Sequence, residues 1–111
     1  MKYKIVLVPF PFDDLSATKV RPAVCLTDEI DPYGHVVLAF ITSNISNPAV
    51  TDLIIQASDP DFRKTGLKVA STVRLHRLMT VSTSIFVRRL GELSPTHIIA
   101  VKRNLQDLFE I

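Results

Sequence analysis

The sequence has a single cysteine, Cys25, so an intrachain disulfide is excluded. A chain without a disulfide framework suits a reducing compartment, and we expect a cytoplasmic protein. No apolar stretch approaches the roughly 20 residues that span a bilayer. The short apolar run at residues 5–8 is broken by Pro9 and Pro11 and does not fit a signal peptide. We therefore expect neither a membrane partner nor a targeting segment.

The common motifs of metal and nucleotide sites are also missing. The sequence contains no CxxC, HExxH, GxGxxG or P-loop pattern, so it predicts no metal and no cofactor. With 47% hydrophobic and 22% charged residues the chain is not of the disordered class. A net charge of +2 neither requires nor excludes a nucleic-acid partner, because a local basic patch matters more than the total.

The length of 111 residues fits one domain, residues 1–111. Short apolar runs separated by turn residues predict strands at 5–8, 22–27, 36–41, 52–56 and 69–75, with a continuation at 78–81 beyond a kink. The continuously apolar run 36–41 predicts a strand that is buried on both faces. Residues 58–66 read as a polar loop, and residues 85–90 fit either a strand or a short helix.

The C-terminal segment predicts a helix. Ser94 is a good N-cap and Pro95 suits the first helical position. An apolar stripe with helical spacing follows, formed by Ile98, Val101, Leu105 and Leu108. Short strands followed by one terminal helix predict a mainly β, barrel-like domain.

Three groups of polar residues are candidates for chemistry. Lys19 and Arg21 stand where a loop enters a strand, and the planar guanidinium of an arginine can bind two phosphate oxygens. Such cations can equally be solvated charges at a strand end. The second group, Thr42, Ser43 and Asn44, follows the buried strand and either donates to a phosphate or satisfies loose backbone groups.

The third group comprises Arg74, His76 and Arg77. In a strand Arg74 and His76 point to the same face, which sets a cation beside a titratable imidazole. Histidine acts as general acid or base near neutral pH, so this pair is a candidate catalytic element. The alternative is the polar outer face of an amphipathic strand.

The N-terminal region contains two motifs in a specific order and spacing. The segments Ile5-Val6-Leu7-Val8-Pro9-Phe10-Pro11-Phe12-Asp13-Asp14-Leu15-Ser16 and Arg21-Pro22-Ala23-Val24 are similar to the first strand, the loop and the Arg-Pro-Ala motif of the MazF/PemK toxins, which include Kid. The resemblance covers nearly the whole chain and is strongest from residue 4 to 42. It implies a small SH3-like β-barrel of the CcdB/Kid/MazF type with a C-terminal α-helix. It further implies a homodimer that cleaves single-stranded RNA at short sequences and is neutralised by a cognate antitoxin.

The resemblance also implies roles for individual residues. Arg21 and Thr42 match the catalytic arginine and threonine of the MazF branch, and Arg74 matches the arginine of an Arg-x-Asp motif in the Kid branch. The aspartate of that motif falls on His76, which is a departure from the family. We therefore expect catalysis by Arg21, Thr42, Arg74 and His76, and RNA binding by Lys19, Ser43, Asn44 and Arg77.

Two other functions remain open. A related fold poisons DNA gyrase without cutting nucleic acid, so fold alone does not decide between the two toxin activities. An RNA-binding module that stacks bases on aromatic side chains is the third possibility, with Tyr3, Phe10, Phe12 and Tyr33 as candidates. The presence of both Arg21 and Thr42 favours the nuclease.

Overall fold

The computed structural model describes residues 1–9 and 19–111, and in these residues six antiparallel strands form one curled sheet. The strand order is β4-β5-β3-β2-β1-β6. The strands are β1 (Lys4–Pro9), β2 (Val20–Cys25), β3 (His35–Thr42), β4 (Leu53–Ile55), β5 (Ser71–Ser82) and β6 (Arg88–Glu92). Helices α1 (Phe62–Thr65) and α2 (Pro95–Phe109) complete the fold. The predicted mainly β fold with a C-terminal helix is confirmed.

Strand β3 carries buried side chains on both faces, as its continuous apolar run predicts. Ala39 and Ile41 belong to a hydrophobic cluster that also contains Val101 of α2. Val36 and Leu38 belong to a second cluster, together with apolar residues of β1 and β2. Because side chains alternate along a strand, the two pairs point to opposite sides of the sheet. An apolar layer therefore packs on each face of the sheet at β3.

Helix α2 has the predicted start and the predicted apolar stripe. The Ser94 hydroxyl accepts a hydrogen bond from the backbone N–H of His97 at 3.1 Å, and Pro95 begins the helix. Val101 is fully buried, and the partly buried Ile98, Leu105 and Leu108 pack against the same cluster. The stripe fixes α2 against β4 and β5.

Two local expectations need correction or completion. The segment predicted as a polar loop contains helix α1, which ends at Gly66 in the left-handed conformation with φ of 73°. A helix of four residues is too short to show helical periodicity, so the sequence pattern does not reveal it. The ambiguous residues 85–90 divide between a 3-10 turn, Thr83–Ile85, and the start of β6.

Helix α1 lies very close to β6. A Cβ atom on Gly91 would collide with the carbonyl oxygen of Lys64, and one on Gly66 would collide with that of Leu90. The absence of side chains at Gly66 and Gly91 therefore permits this approach. The contact sets the course of the chain from Gly66 to Ser71, which matters for the site described next.

The N-terminal loop motif is only partly described. Residues 10–18 lie outside the described part of the chain, and with them Phe10, Phe12, Asp13 and Asp14 of the family-like segment. Within the described ranges, no helix has the length and apolar character needed to cross a membrane.

Candidate active site

The pairing of β2 with β3 brings Arg21 and Thr42 together. The two strands are antiparallel, with Ala23 opposite Phe40, and the same register continued by two residues places Arg21 opposite Thr42. The start of β2 therefore lies beside the end of β3. Both residues line the same hollow at this rim of the sheet.

Two adjoining hollows form a groove around Arg21 and Thr42, and we call it the basic groove. The smaller hollow has a volume of about 200 Å³ and is lined by Arg21, Phe40, Ile41, Thr42, Arg74 and Arg77. The larger has a volume of about 340 Å³. It shares Arg21, Ile41 and Thr42 with the first and adds polar residues from three other segments, among them Ser43, Lys68, Ser71 and Arg88. Arg21 and Thr42 thus stand where the two hollows meet.

The lining of the basic groove carries charge of one sign. Of the described residues that line it, five are basic and none is acidic; the five are Arg21, Lys68, Arg74, Arg77 and Arg88. The whole chain has 13 Lys and Arg against 11 Asp and Glu, so these cations are strongly concentrated. A concave surface lined by one sign of charge attracts the opposite charge, here an anion such as a phosphodiester backbone.

A register shift in β5 involves three of the predicted residues, of which Arg74 and Arg77 line the smaller hollow. Val73 pairs with Ile41 and Leu78 pairs with Ala39, so residues 74–77 all stand opposite Phe40 alone. Extra residues in one strand form a bulge, which turns side chains away from the regular alternation. The kink that the sequence predicts between residues 75 and 78 is this bulge. It carries Arg74, His76 and Arg77, and His76 is not among the described lining residues of either hollow.

A buried carboxylate lies behind Arg74 and His76. The side chain of Asp52 is 0% exposed, and its Oδ2 lies 3.3 Å from Nη1 of Arg74. Its Oδ1 lies 3.5 Å from Nδ1 of His76. Arg74 and His76, which both belong to β5, thus contact the same carboxyl group.

The sequence analysis did not identify Asp52 as a functional residue. Asp52 precedes β4, in which Leu53 pairs with Val73, and continuing that antiparallel register places it opposite Arg74. The signal is a complementary charge on the neighbouring strand, and it becomes visible only when the pairing of β4 with β5 is known. Lys68 and Arg88 were missed for the same reason, because only the folded sheet brings them to the groove.

The polar residues after β3 have two kinds of contact. Thr42 Oγ1 accepts a hydrogen bond from the N–H of Asn44 at 3.2 Å, and Asn44 Oδ1 accepts one from the N–H of Ser46 at 3.0 Å. These bonds shape the loop, as one of the two interpretations of this segment requires. Ser43 lines the larger hollow. Lys19 is exposed at the edge of the described segment and is not among the described lining residues.

The remaining histidines pair with carboxylates away from the groove. His35 Nδ1 lies 2.7 Å from Asp31, and its hydrogen bond to that carboxyl group lowers the pKa of Asp31. His97 Nε2 lies 3.0 Å from Asp59 Oδ2. Across residues 1–9 and 19–111, no group of three or more His, Cys, Asp or Glu side chains is arranged to hold a metal ion.

The chain matches one family over almost its whole length. The model of the PemK-like, MazF-like toxins of type II toxin–antitoxin systems matches residues 1–109. Among curated proteins, none matches this sequence.

Several solved structures have the same fold. A Mycobacterium tuberculosis toxin, MazF-mt6, superposes with a TM-score of 0.73 at 22% identity, over 97% of this chain and 97% of the other. An endoribonuclease in complex with its cognate antitoxin, from a mycobacterial species, gives 0.76 at 13% identity, over 100% and 95% of the two chains. A further mycobacterial endoribonuclease gives 0.71 at 16% identity, over 100% and 92%. At these identities the similarity shows a common fold.

Proposed function

Because the chain belongs to the family of PemK-like, MazF-like toxins of type II toxin–antitoxin systems, we propose that it is an endoribonuclease that cuts single-stranded RNA. One observation carries this proposal. Arg21 and Thr42 both line a groove whose described lining has five basic residues and no acidic one. Guanidinium and hydroxyl groups are suitable donors to the oxygens of a phosphodiester.

The proposed reaction uses the RNA's own nucleophile. The ribose 2′-oxygen attacks the adjacent phosphorus and loses its proton to a base, while the bond from phosphorus to the 5′-oxygen breaks and that oxygen gains a proton. The products are a 2′,3′-cyclic phosphate and a free 5′-hydroxyl. Arg21 and Arg74 donate to the phosphate oxygens as negative charge develops on them, and Thr42 orients the phosphate or the 2′-hydroxyl. His76, on the same bulge of β5 as Arg74, is the side chain to which we assign proton transfer.

In this mechanism no metal or cofactor is needed. The ribose supplies the nucleophile, and arginine side chains supply the positive charge that a metal ion provides in other nucleases. The larger hollow offers apolar side chains, Leu67, Val69 and Leu90, together with Lys68 and Arg88. Bases can pack on the former while phosphates contact the latter, so we propose that this hollow selects the sequence that is cut.

The partners proposed for this chain follow from the same groove. A structural neighbour is described as an endoribonuclease in complex with its cognate antitoxin. We propose that this toxin, too, binds a cognate antitoxin, and that an acidic segment of the antitoxin folds over the basic groove and excludes RNA. Because RNA is the proposed substrate, we also propose that the protein acts in the cytoplasm.

The experiment is incubation of the purified protein with an RNA of mixed sequence in excess chelator, followed by mapping of the new ends. We expect cuts at a short recurring sequence, each leaving a cyclic phosphate and a 5′-hydroxyl, and no cuts with Arg21→Ala. Intact RNA, together with inhibition of DNA gyrase by the same preparation, would show instead a toxin that does not cleave. Cleavage that is lost in chelator and restored by magnesium would contradict the metal-free mechanism.

A further inference from the structure

Asp52 is a buried acidic residue that contacts Arg74 of the basic groove. Its Oδ2 accepts a hydrogen bond from the N–H of Ala49 at 2.8 Å and one from Arg74 Nη1 at 3.3 Å. Its Oδ1 is buried without a hydrogen-bond partner among the described residues and faces His76 Nδ1 at 3.5 Å. A buried carboxyl oxygen without a donor is costly, so a donor at this position is expected.

The backbone around Asp52 holds the carboxyl group in place. The N–H of Asp52 donates to the carbonyl of Ala49 at 3.0 Å, which closes a turn immediately before β4. From α2, the Asn104 amide donates to the carbonyl oxygens of Thr51 and Asp52 at 3.2 and 3.4 Å. The Asp52 side chain is 0% exposed, and these hydrogen bonds hold the backbone that carries it.

The two side chains that Asp52 contacts are more exposed and reach outward. Arg74 is 23% exposed and lines the smaller hollow, and His76 is 40% exposed on the same bulge of β5. Asp52 also stands where the sequence shows a departure. Where the Arg-x-Asp motif of the resembled family has an aspartate, this chain has His76. The carboxylate beside Arg74 belongs instead to Asp52, the residue before β4.

We propose that Asp52 is a positioning residue of the nuclease site, an inference that rests on the proposed function. Its Oδ2 holds the Arg74 guanidinium at the groove. Its Oδ1 accepts the Nδ1 proton of His76 when the two groups close from 3.5 Å to hydrogen-bonding distance. Nε2 of the neutral ring is then left without a proton and accepts that of the ribose 2′-hydroxyl. The same division of roles between a buried aspartate and a histidine operates in serine proteases.

The chain contains a matched control for this pair. Asp59 contacts His97 through Nε2 at 3.0 Å, away from the groove, and its Oδ2 also accepts the N–H of Gln56 at 3.0 Å. Asp59 and Asp52 thus share a carboxylate–histidine contact and a backbone hydrogen bond. Only Asp52 also contacts a residue of the groove.

The test compares Asp52→Asn and Asp59→Asn in steady-state cleavage of one RNA oligonucleotide. Asparagine keeps the size of the side chain and can still accept the N–H of Ala49, but its amide cannot hold the Nδ1–H form of His76. We expect kcat to fall about 100-fold in Asp52→Asn, the lower range for lost acid–base catalysis, with little change in KM. When His76 is replaced by Gln, the further decrease in kcat caused by Asp52→Asn should be clearly smaller, because part of the effect of Asp52 depends on its contact with the His76 imidazole. In Asp59→Asn the thermal midpoint should fall while kcat stays unchanged.

A second measurement needs no variant at position 52. The ¹⁵N shifts of His76 in the wild-type protein, assigned with His76→Gln and recorded in alkaline buffer, report which ring nitrogen carries the proton. We expect the Nδ1–H form. The Nε2–H form would overturn the proposal, as would an unchanged kcat in folded Asp52→Asn or an equal loss with and without His76. A wild-type protein that leaves RNA intact would contradict the proposed function itself, whereas a wild type and an Asp52→Asn variant that cut equally fast would contradict this inference alone.

Discussion

At the scale of the residue, Arg21 and Thr42 line the same hollow because β2 and β3 are antiparallel. Arg21 is exposed and Thr42 is half-buried, so their removal leaves the core intact. We predict that Arg21→Ala and Thr42→Ala each slow RNA cleavage at least about 100-fold, the usual cost of losing one donor to a developing negative charge. The rates are measured on a single oligonucleotide, with circular dichroism to show that each variant is folded.

The control for this prediction is Thr42→Ser, which keeps the hydroxyl group that accepts the N–H of Asn44. It should retain most of the activity. Full activity of Arg21→Ala, or equal losses in Thr42→Ser and Thr42→Ala, would show that these groups do not act as donors.

Cys25 gives a residue-scale prediction that is independent of function. The thiol is buried in β2, as the apolar sequence around it predicts, and burial raises its pKa to about 11 from about 9. We expect iodoacetamide to leave the folded protein unlabelled at about pH 8 and to label it fully in denaturant, because the thiolate is the reactive form. The unfolded thiol ionises first, so its contribution to stability is complete below about pH 9 and lost by about pH 11. Rapid labelling of native protein would contradict this.

Single residues were predictable from sequence where a local pattern marked them. Arg21, Thr42 and Arg74 stand at strand ends or within a distinctive motif, and the structure brings all three to one hollow. Asp52 had no such mark, because its contacts with Arg74 and His76 depend on the register between two strands that are far apart in sequence. The catalytic roles of Arg21, Thr42 and Arg74 remain predictions.

At the scale of the element, the positions of strands and of α2 followed from apolar periodicity and capping, while their irregularities did not. The bulge of β5 at residues 74–77 and the four-residue helix α1 both arise from tertiary packing. Apolar periodicity is a property of longer segments and does not reveal a bulge or a four-residue helix. The bulge carries the candidate catalytic residues of β5, so the part that sequence describes least well is the part that shapes the site.

The N-cap of α2 supplies a prediction for this scale. Ser94→Ala removes the acceptor for the N–H of His97, and loss of an N-cap costs about 1 kcal/mol of folding free energy. Urea denaturation should show this loss, and Ser94→Asp, which retains an acceptor, should restore most of it. The cleavage rate of the folded variant should equal that of the wild type, because α2 packs against the sheet without lining the groove in the described residues. An unchanged midpoint would mean that the cap contributes nothing.

At the scale of the whole molecule, the family resemblance implies a homodimer. In the structure, α1 packs against β6 and α2 packs against β4, the two end strands of the described sheet. The structural reason to expect a dimer is a set of exposed apolar side chains. Several large apolar side chains are exposed in the described residues. They include Ile30, Tyr33, Ile85 and Val87.

We predict that the protein is a dimer at micromolar concentration, burying roughly 1,200–2,000 Å² in the interface. Sedimentation velocity over a concentration series measures this directly. A single species with the 12.4 kDa mass of one chain at every concentration would contradict the prediction.

We propose that the basic groove, with Arg21 and Thr42 where its two hollows meet, cuts RNA through the 2′-hydroxyl of the substrate. The most direct test is an oligonucleotide that contains one 2′-deoxy sugar, immediately 5′ to the mapped cut, beside the all-ribose oligonucleotide of the same sequence. Both should bind the antitoxin-free protein with similar affinity, because the phosphates that the groove contacts are unchanged. The account predicts that the all-ribose strand is cut in excess chelator and the deoxy strand is not. Equal cleavage of the two strands would contradict it, because the proposed nucleophile is then absent from a reaction that still proceeds.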